Sequence, residues 1–215
     1  MSVVCEGNVC RLVFPIDHWT QAIMQDELKF AVVCSSNMNR SMEAHAVLSR
    51  RGYQVKSFGT GDKVKLPGRG NKPNCYEFGV SYKDIYNDLL EKDKEYYEKN
   101  SVLNMLMRNK TLKPCPERFQ DSTDRFDIII TCEKRVFDQV VEWFVLKKPE
   151  QNKPVNIINI DIKDNLEEAT LGSYLILDLA TKLTESSDYK KELHSILKAF
   201  QRKCRKHVSD CIMFY

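Results

Sequence analysis

From Leu28 onward, short apolar runs alternate with amphipathic stretches. Lys29-Phe30-Ala31-Val32-Val33 is apolar and β-branched, as suits a strand buried on both faces of a parallel sheet, and it ends at Cys34. A polar loop, 35–39, leads into Ser41-Met42-Glu43-Ala44-His45-Ala46-Val47-Leu48-Ser49-Arg50-Arg51, where Met42, His45 or Ala46, and Ser49 recur at helical spacing. Basic residues fill the last turn and Gly52 stops it. A second strand, 54–58, follows directly, and the right-handed crossover rule makes the two strands parallel. Two further apolar runs, 126–130 and 155–160, each precede a helical stretch, at 135–146 and 167–183. The pattern predicts an α/β fold: a small doubly wound, mostly parallel sheet with helices on both faces.

Between the second and third strands lies an insertion, about 60–110, too long for a plain connection. It holds a Gly/Pro-rich loop, 59–73, and a charged, tyrosine-rich helical stretch, 82–109, and is expected to form a cap or binding surface. A last helix, 189–207, closes the chain against the sheet or a partner. Residues 1–27 show no clear period and are set apart as an N-terminal extension of unknown structure, which leaves 28–215 as the domain that carries the chemistry.

The length of 215 residues suits one domain, and 42% hydrophobic with 29% charged residues excludes a disordered or collagen-like chain. A net charge of +3 is too mild to argue for nucleic-acid binding. No apolar run has the length of a membrane span and the N-terminus does not read as a secretory signal, so the expected compartment is cytosol or nucleus. The eight cysteines, with no C-x-x-C pair, are then expected as free thiols. Cys204, His207 and Cys211 have a zinc-like spacing without an evident fourth ligand, so no metal is expected. The glycines of Gly59-Thr60-Gly61 and Gly68-Arg69-Gly70 match no nucleotide fingerprint and read as turns. Cys132, just after the third strand, reads as a half-buried, inert thiol.

The chemistry concentrates where the first strand meets its helix. In Cys34-Ser35-Ser36-Asn37-Met38-Asn39-Arg40-Ser41, five residues separate cysteine from arginine and a hydroxyl follows. Such a loop can fold so that the N–H groups of Ser35, Ser36, Asn37, Met38 and Asn39 converge at the positive end of the helix, making an anion cradle. Arg40 offers a planar fork of donors to a phosphoryl group, and Ser41 is placed to donate to a Cys34 thiolate and to cap the turn. Cys5 and Arg11 repeat the spacing in the wrong setting. Too few residues precede Cys5 for a central strand, Leu12 replaces the hydroxyl, Glu6 adds a negative charge and Pro15 interrupts the helix.

A cysteine nucleophile needs a proton donor for its leaving group. Asn159-Ile160-Asp161-Ile162-Lys163-Asp164-Asn165 puts two carboxylates after another strand, on the same sheet edge. Asp164 lies farther out and can reach over the pocket, and Asp161 can orient Arg40 or the loop. Either can instead cap the helix beginning near Glu167, and spacing leaves the choice open.

The run Val32-Val33-Cys34-Ser35-Ser36-Asn37-Met38-Asn39-Arg40-Ser41-Met42-Glu43-Ala44-His45, with Ser57-Phe58-Gly59-Thr60-Gly61, Val64-Lys65-Leu66-Pro67-Gly68, Pro116-Glu117-Arg118-Phe119-Gln120 and the two-aspartate segment, resembles the phosphatases of the RNA polymerase II carboxy-terminal tail, the suppressor-of-sua family. The resemblance runs over 28–215. It implies a low-molecular-weight-phosphatase-like fold, a phosphocysteine intermediate on Cys34, phosphate binding by Arg40, Asp164 as general acid and no cofactor. It further implies a substrate phosphoserine followed by a cis proline, in a groove matching Lys65, Pro67, Tyr97 and Met105. A symplekin-like scaffold of mRNA 3′-end processing is the implied partner, with no direct contact to nucleic acid or membrane. The nucleus is the implied location, with cytoplasm as a second one. The departures are the N-terminal extension, a shortened loop near Arg69-Gly70-Asn71, and Val80-Ser81 and Tyr96 at variable places. Two rivals remain at this level. A phosphotyrosine phosphatase or arsenate reductase can use the same fold, although a reductase needs resolving cysteines that the loop after Cys34 lacks. The other is a catalytically silent phosphopeptide-binding or scaffold subunit of a 3′-processing complex.

Overall fold

The computed structural model describes residues 2–6, 9–13, 28–147, 149 and 152–215. Its first elements, β1 (Ser2–Glu6) and β2 (Val9–Val13), pair antiparallel with Cys5 opposite Cys10. Arg11 therefore stands in a strand, not in the first turn of a helix. The chain continues through β3 (Lys29–Cys34), α1 (Arg40–Arg50), β4 (Gln54–Gly59), β5 (Val64–Leu66), β6 (Asn74–Tyr76), α2 (Tyr82–Lys99) and α3 (Val102–Leu112). After these come β7 (Ile128–Thr131), α4 (Lys134–Leu146), β8 (Pro154–Ile160), α5 (Leu166–Glu185), α6 (Tyr189–Cys204) and β9 (Val208–Phe214).

The main sheet has the order β4-β3-β7-β8-β9, parallel except for β9, which runs antiparallel to β8. Successive connections lead in opposite directions from β3, so the crevice between the carboxyl ends of β3 and β7 is the topological switch point where such sheets hold ligands. Cys34 ends β3 at that point.

Alternation along β3 assigns its side chains to two layers. Phe30, Val32 and Cys34 pack with Ala44 and Leu48 of α1, Ile176 and Leu179 of α5 and Phe200 of α6. Ala31 and Val33 face the other way, against Val136, Phe137, Val140 and Phe144 of α4. Each large side chain so buried contributes roughly 1.5–3 kcal/mol. A third apolar cluster joins Met38 and Met42, beside the cradle loop, to Val64, Leu66, Tyr82, Ile85, Leu89 and Leu106 of the insertion. The insertion thus has its own core, and that core rests on the loop.

Three elements depart from the sequence pattern. The 82–109 stretch is two helices, because Ser101 takes φ +61° and breaks the run. The Gly/Pro-rich loop contains β5 and leads into its antiparallel partner β6, each strand too short to register as periodic. The last helix stops at Cys204, and β9 follows it. Its sequence, Val208-Ser209-Asp210-Cys211-Ile212-Met213-Phe214, lies at a sheet edge with half-buried and exposed positions, and Ser209-Asp210 followed by an unbroken apolar run gives no polar/apolar alternation to read.

Beneath the first helix, His45 is buried with Nδ1 2.8 Å from Ser57 Oγ. Burial, aided by Lys113, pushes its pKa down from 6.5 to about 4. The unfolded chain therefore binds a proton that the folded chain refuses. The stability from neutral His45 is complete above about pH 6.5 and is lost as pH falls toward 4, by about 3 kcal/mol in all. In urea melts between pH 7.5 and 4.5, His45→Asn should show a flatter loss of stability than the parent chain. Identical slopes would contradict this assignment.

Candidate active site

The cradle loop is defined by what its carbonyls do. Cys34 O accepts from Thr60 N at 3.0 Å and Ser35 O from Gly61 N at 2.9 Å. Asn37 O accepts from Tyr82 Oη at 2.7 Å, and Met38 O from Asn109 Nδ2 at 2.8 Å and Arg108 Nη2 at 3.1 Å. In a trans peptide the next residue's N–H points opposite to the carbonyl. Anchoring these carbonyls to β4 and the insertion therefore turns the N–H groups of Ser35, Ser36, Met38 and Asn39 to the other side. Among the described residues, none of the N–H groups of 35–39 has a protein acceptor. The result is a concave cluster of free donors at the start of α1, the chemistry of an anion site.

Two residues make the tight curvature possible. Asn37 takes φ +53°, a conformation asparagine tolerates better than most, and its Oδ1 accepts from Glu117 N at 3.0 Å. Gly59, paired with Cys34 in the sheet, lies so close that a Cβ there would stand 2.6 Å from Ser35 O and 2.9 Å from Asn37 N. Gly59-Thr60-Gly61 is thus the floor of the cradle, where sequence alone suggested a turn.

Cys34 is 3% exposed, with Sγ 3.1 Å from Ser41 Oγ. Asn37 Nδ2 donates to the same hydroxyl at 3.0 Å, which leaves the serine proton for the sulfur. Ser41 is the second residue of α1 and does not cap it; the N-cap position is Asn39, whose side chain makes no capping bond. Asn39 Nδ2 donates instead to Asp164 Oδ1 at 3.0 Å.

Arg40, also buried, is held by anions and a carbonyl. Nη1 donates to Glu133 Oε2 at 2.7 Å and to Ile162 O at 2.9 Å, and Nη2 reaches Asp164 Oδ2 at 3.4 Å. Burial works against its charge, but Cys34, Asp164 and Glu133 outweigh it and raise the guanidinium pKa above the ordinary arginine value. Burial likewise pushes the Glu133 carboxyl up, and the Arg40 and Arg135 guanidiniums more than reverse this, holding it below its usual range. Glu133 carried no motif, and the sequence reading missed it.

The two aspartates separate. Asp164 faces Arg40 and Asn39, whereas Asp161 Oδ1 accepts from Lys134 N, at the start of α4, and from Asn159 Nδ2, both at 3.0 Å. The helix near Glu167 is capped by neither; Asn165 does so, accepting from Glu168 N at 2.8 Å. Cys132 is fully buried rather than half-buried, and burial raises its thiol pKa well above the ordinary value.

A cleft of about 470 Å³ brings together Cys34, Ser36, Met38, Asn39, Asp164, Lys65, Pro67 and Met105. Leu66, Val102 and Leu166 add an apolar wall that had no sequence signal. Tyr97 is not on the wall. It is 3% exposed, packed in the insertion core, and its hydroxyl accepts from Asn74 Nδ2 at 2.8 Å.

Similarity to known proteins converges on one group. The human RNA polymerase II C-terminal domain phosphatase SSU72 is 52% identical over 189 residues, covering 87% of this chain and 97% of the human one. The human SSU72 like protein 4 is 47% identical over 194 residues, covering 90% and 100%. A Drosophila melanogaster Ssu72, solved with Symplekin and a cis peptidomimetic phosphoserine peptide of the C-terminal domain, superposes with a TM-score of 0.86 at 44% identity, over 89% of this chain and all of that one. The profile of the Ssu72-like proteins matches residues 28–215, from the strand before the cradle to the last residue, and the chain belongs to that family.

Proposed function

We propose that this chain is a cysteine-dependent protein phosphatase that removes phosphate from phosphoserine-proline sites of the RNA polymerase II C-terminal repeat tail. The observation that carries the reading is the meeting of the Cys34 sulfur, unengaged loop amides and Asp164 at one cleft, with the buried Arg40 guanidinium 3.4 Å from Asp164. The family relatives act on that tail by name, and the Drosophila relative was solved with a phosphoserine peptide of it and Symplekin. These similarities support the same substrate, a symplekin-like scaffold as partner and a nuclear place of work.

The reaction takes two steps. The Cys34 thiolate attacks phosphorus, forming the S–P bond as the P–O bond to serine breaks, and Asp164 delivers its proton to the departing serine oxygen. Water, deprotonated by the same carboxylate, then attacks the phosphocysteine and releases inorganic phosphate and the thiolate. The loop amides and Arg40 neutralise the three equatorial oxygens throughout. Arg40 Nε, buried and without a partner among the described residues, is the donor left for one of them. Ser41 stabilises the sulfur anion in both steps. Glu133 acts through Arg40 as a positioning residue. For the peptide, Lys65, Pro67 and Met105 form the groove, and Tyr97 serves it from behind by holding Asn74 and the β5–β6 pair.

Cys34→Ser should abolish release of phosphate from a phosphoserine-proline peptide, and the parent chain should prefer that peptide to a phosphotyrosine one. A preference for tyrosine would assign the substrate to the rival phosphatase class, and retained activity in Cys34→Ser would remove the nucleophile. Asp164→Asn should slow phosphoserine turnover by about 100-fold or more, because an alkoxide leaves poorly without a proton. The first-turnover burst on an aryl phosphate, whose leaving group is a stable phenoxide, should fall much less. Equal losses on the two substrates would contradict the acid role. Tyr82→Phe strips the Asn37 carbonyl of its donor and should cost about 1–3 kcal/mol of stability. Inhibition by inorganic phosphate should weaken with it, and unchanged inhibition would separate the insertion from the cradle.

A further inference from the structure

The carboxyl edge of the sheet has a second cleft, of about 750 Å³, between the end of α6 and the start of β9. Lys198, Arg202, Arg205 and Lys206 line it with His194 and His207, against one acid among the described residues, Asp210. Lys198, Arg202 and Arg205 are exposed, and none of the three has an ion-pair partner among the described residues. Cations in a last helical turn offset the negative end of the helix dipole, which accounts for Lys203, already paired with Asp178, and for Arg202 in part. Arg205 needs another reason. It stands past the helix at φ +55°, a conformation that glycine takes freely and an arginine only at a cost. A cation stands at a position where the backbone favours glycine.

The place of this cleft says what it takes. Val208 pairs with Ile160, so the cleft opens on the edge that carries Cys34. The segment 161–168 divides the two clefts. On one side Asp164, Leu166 and Glu167 line the active cleft. On the other, Lys206 Nζ donates to Asp161 O at 3.2 Å and reaches Glu168 Oε2 at 3.5 Å. A peptide seated over Cys34 thus has only one loop to cross before it meets a cluster of free guanidinium and ammonium groups. Single-stranded nucleic acid is held by aromatic platforms as well as by charge, and among the described residues this wall has no Phe, Tyr or Trp. Phosphoryl groups on a flexible peptide need only the arginine forks.

We propose that the cleft docks a second phosphoryl group of the same tail, so that a multiply phosphorylated peptide is held at one repeat while another is hydrolysed. The proposal rests on the phosphoserine-peptide reading of the active cleft. The second contact is intramolecular once the first is made, so even a weak site strengthens binding by about tenfold. Because the cations are exposed, the gain is screened by salt.

The test uses the Cys34→Ser chain and fluorescence anisotropy, with peptides of several repeats carrying one or two phosphoserines at varied spacing. The doubly phosphorylated peptide should bind about tenfold more tightly at the best spacing, with the gain shrinking as salt rises. Arg202→Glu with Arg205→Gly should erase the gain. Affinity for the singly phosphorylated peptide should stay unchanged, as should aryl phosphate turnover by the same variant with Cys34 intact. Arg205→Gly alone should melt no lower than the parent, so the loss is not unfolding. A gain that survives both substitutions, or an equal loss for the singly phosphorylated peptide, would overturn the docking site while leaving the catalytic reading intact. No hydrolysis of any phosphoserine peptide by the chain with Cys34 intact would overturn both. A single-stranded RNA oligomer that binds more tightly than the doubly phosphorylated peptide, and loses that binding in the same variant, would reassign the cleft to nucleic acid.

Discussion

The carbonyl groups of the cradle loop are held outward, and the rest of the site follows from that. A peptide plane has a donor on one edge and an acceptor on the other. Four donors or donor sets, from Thr60, Gly61, Tyr82 and the Arg108–Asn109 pair, fix one edge and thereby aim the other. In the proposed reaction the amides are gathered before the phosphoryl group arrives, so no reorganisation remains at the moment of reaction, which is where preorganised electrostatic stabilisation has its advantage over water. The helix end contributes its dipole, but the directional work is done by bonds to β4 and to the insertion.

Arg40 applies the same logic to three strands. It begins α1 after β3, meets Glu133 after β7, and meets Ile162 and Asp164 after β8. One buried guanidinium therefore sets the separation of the carboxyl ends around the switch point. A buried charge of this kind is tolerable because its Nη1 and Nη2 atoms are met by two carboxylates and a carbonyl, while Nε has no partner among the described residues. Asn39 adds a second hold on Asp164, so the Cys34 loop and the Asp164 loop are fixed to each other across the cleft.

The parallel core, the crossover and the cysteine-arginine loop could be read from the sequence, since each rests on local periodicity or on spacing within a single turn. The strands β3, β7 and β8, apolar over most of their length, had to be buried on both faces. What escaped depends on contacts distant in sequence. Glu133 is 93 residues from the arginine it orients, and Asn109 is 71 from the carbonyl it holds. Neither has a local pattern that distinguishes it from any polar residue near a helix end. β9 escaped for a different reason: its apolar residues run together from Cys211 to Phe214 without alternation, directly after a long helical pattern. Spacing also could not divide Asp161 from Asp164. The division comes from Lys134 N, a donor supplied by another element, which engages Asp161 and leaves Asp164 to Asn39 and Arg40.

The insertion then has two functions that cannot be varied separately. Lys65 and Met105 line the cleft, while Lys65 N donates to Ser36 Oγ and Asn109, one helical turn beyond Met105, holds Met38 O. A change in α3 that opens room for a different peptide also moves the donor that aims a cradle amide. In the proposed reaction, peptide recognition and stabilisation of the phosphoryl charge are therefore coupled through the backbone of a single helix. A new specificity is more readily built outside this unit, in side chains that touch neither the loop nor its anchors. The unpaired cations beyond the 161–168 segment meet that condition, because substituting them moves no group that holds the cradle.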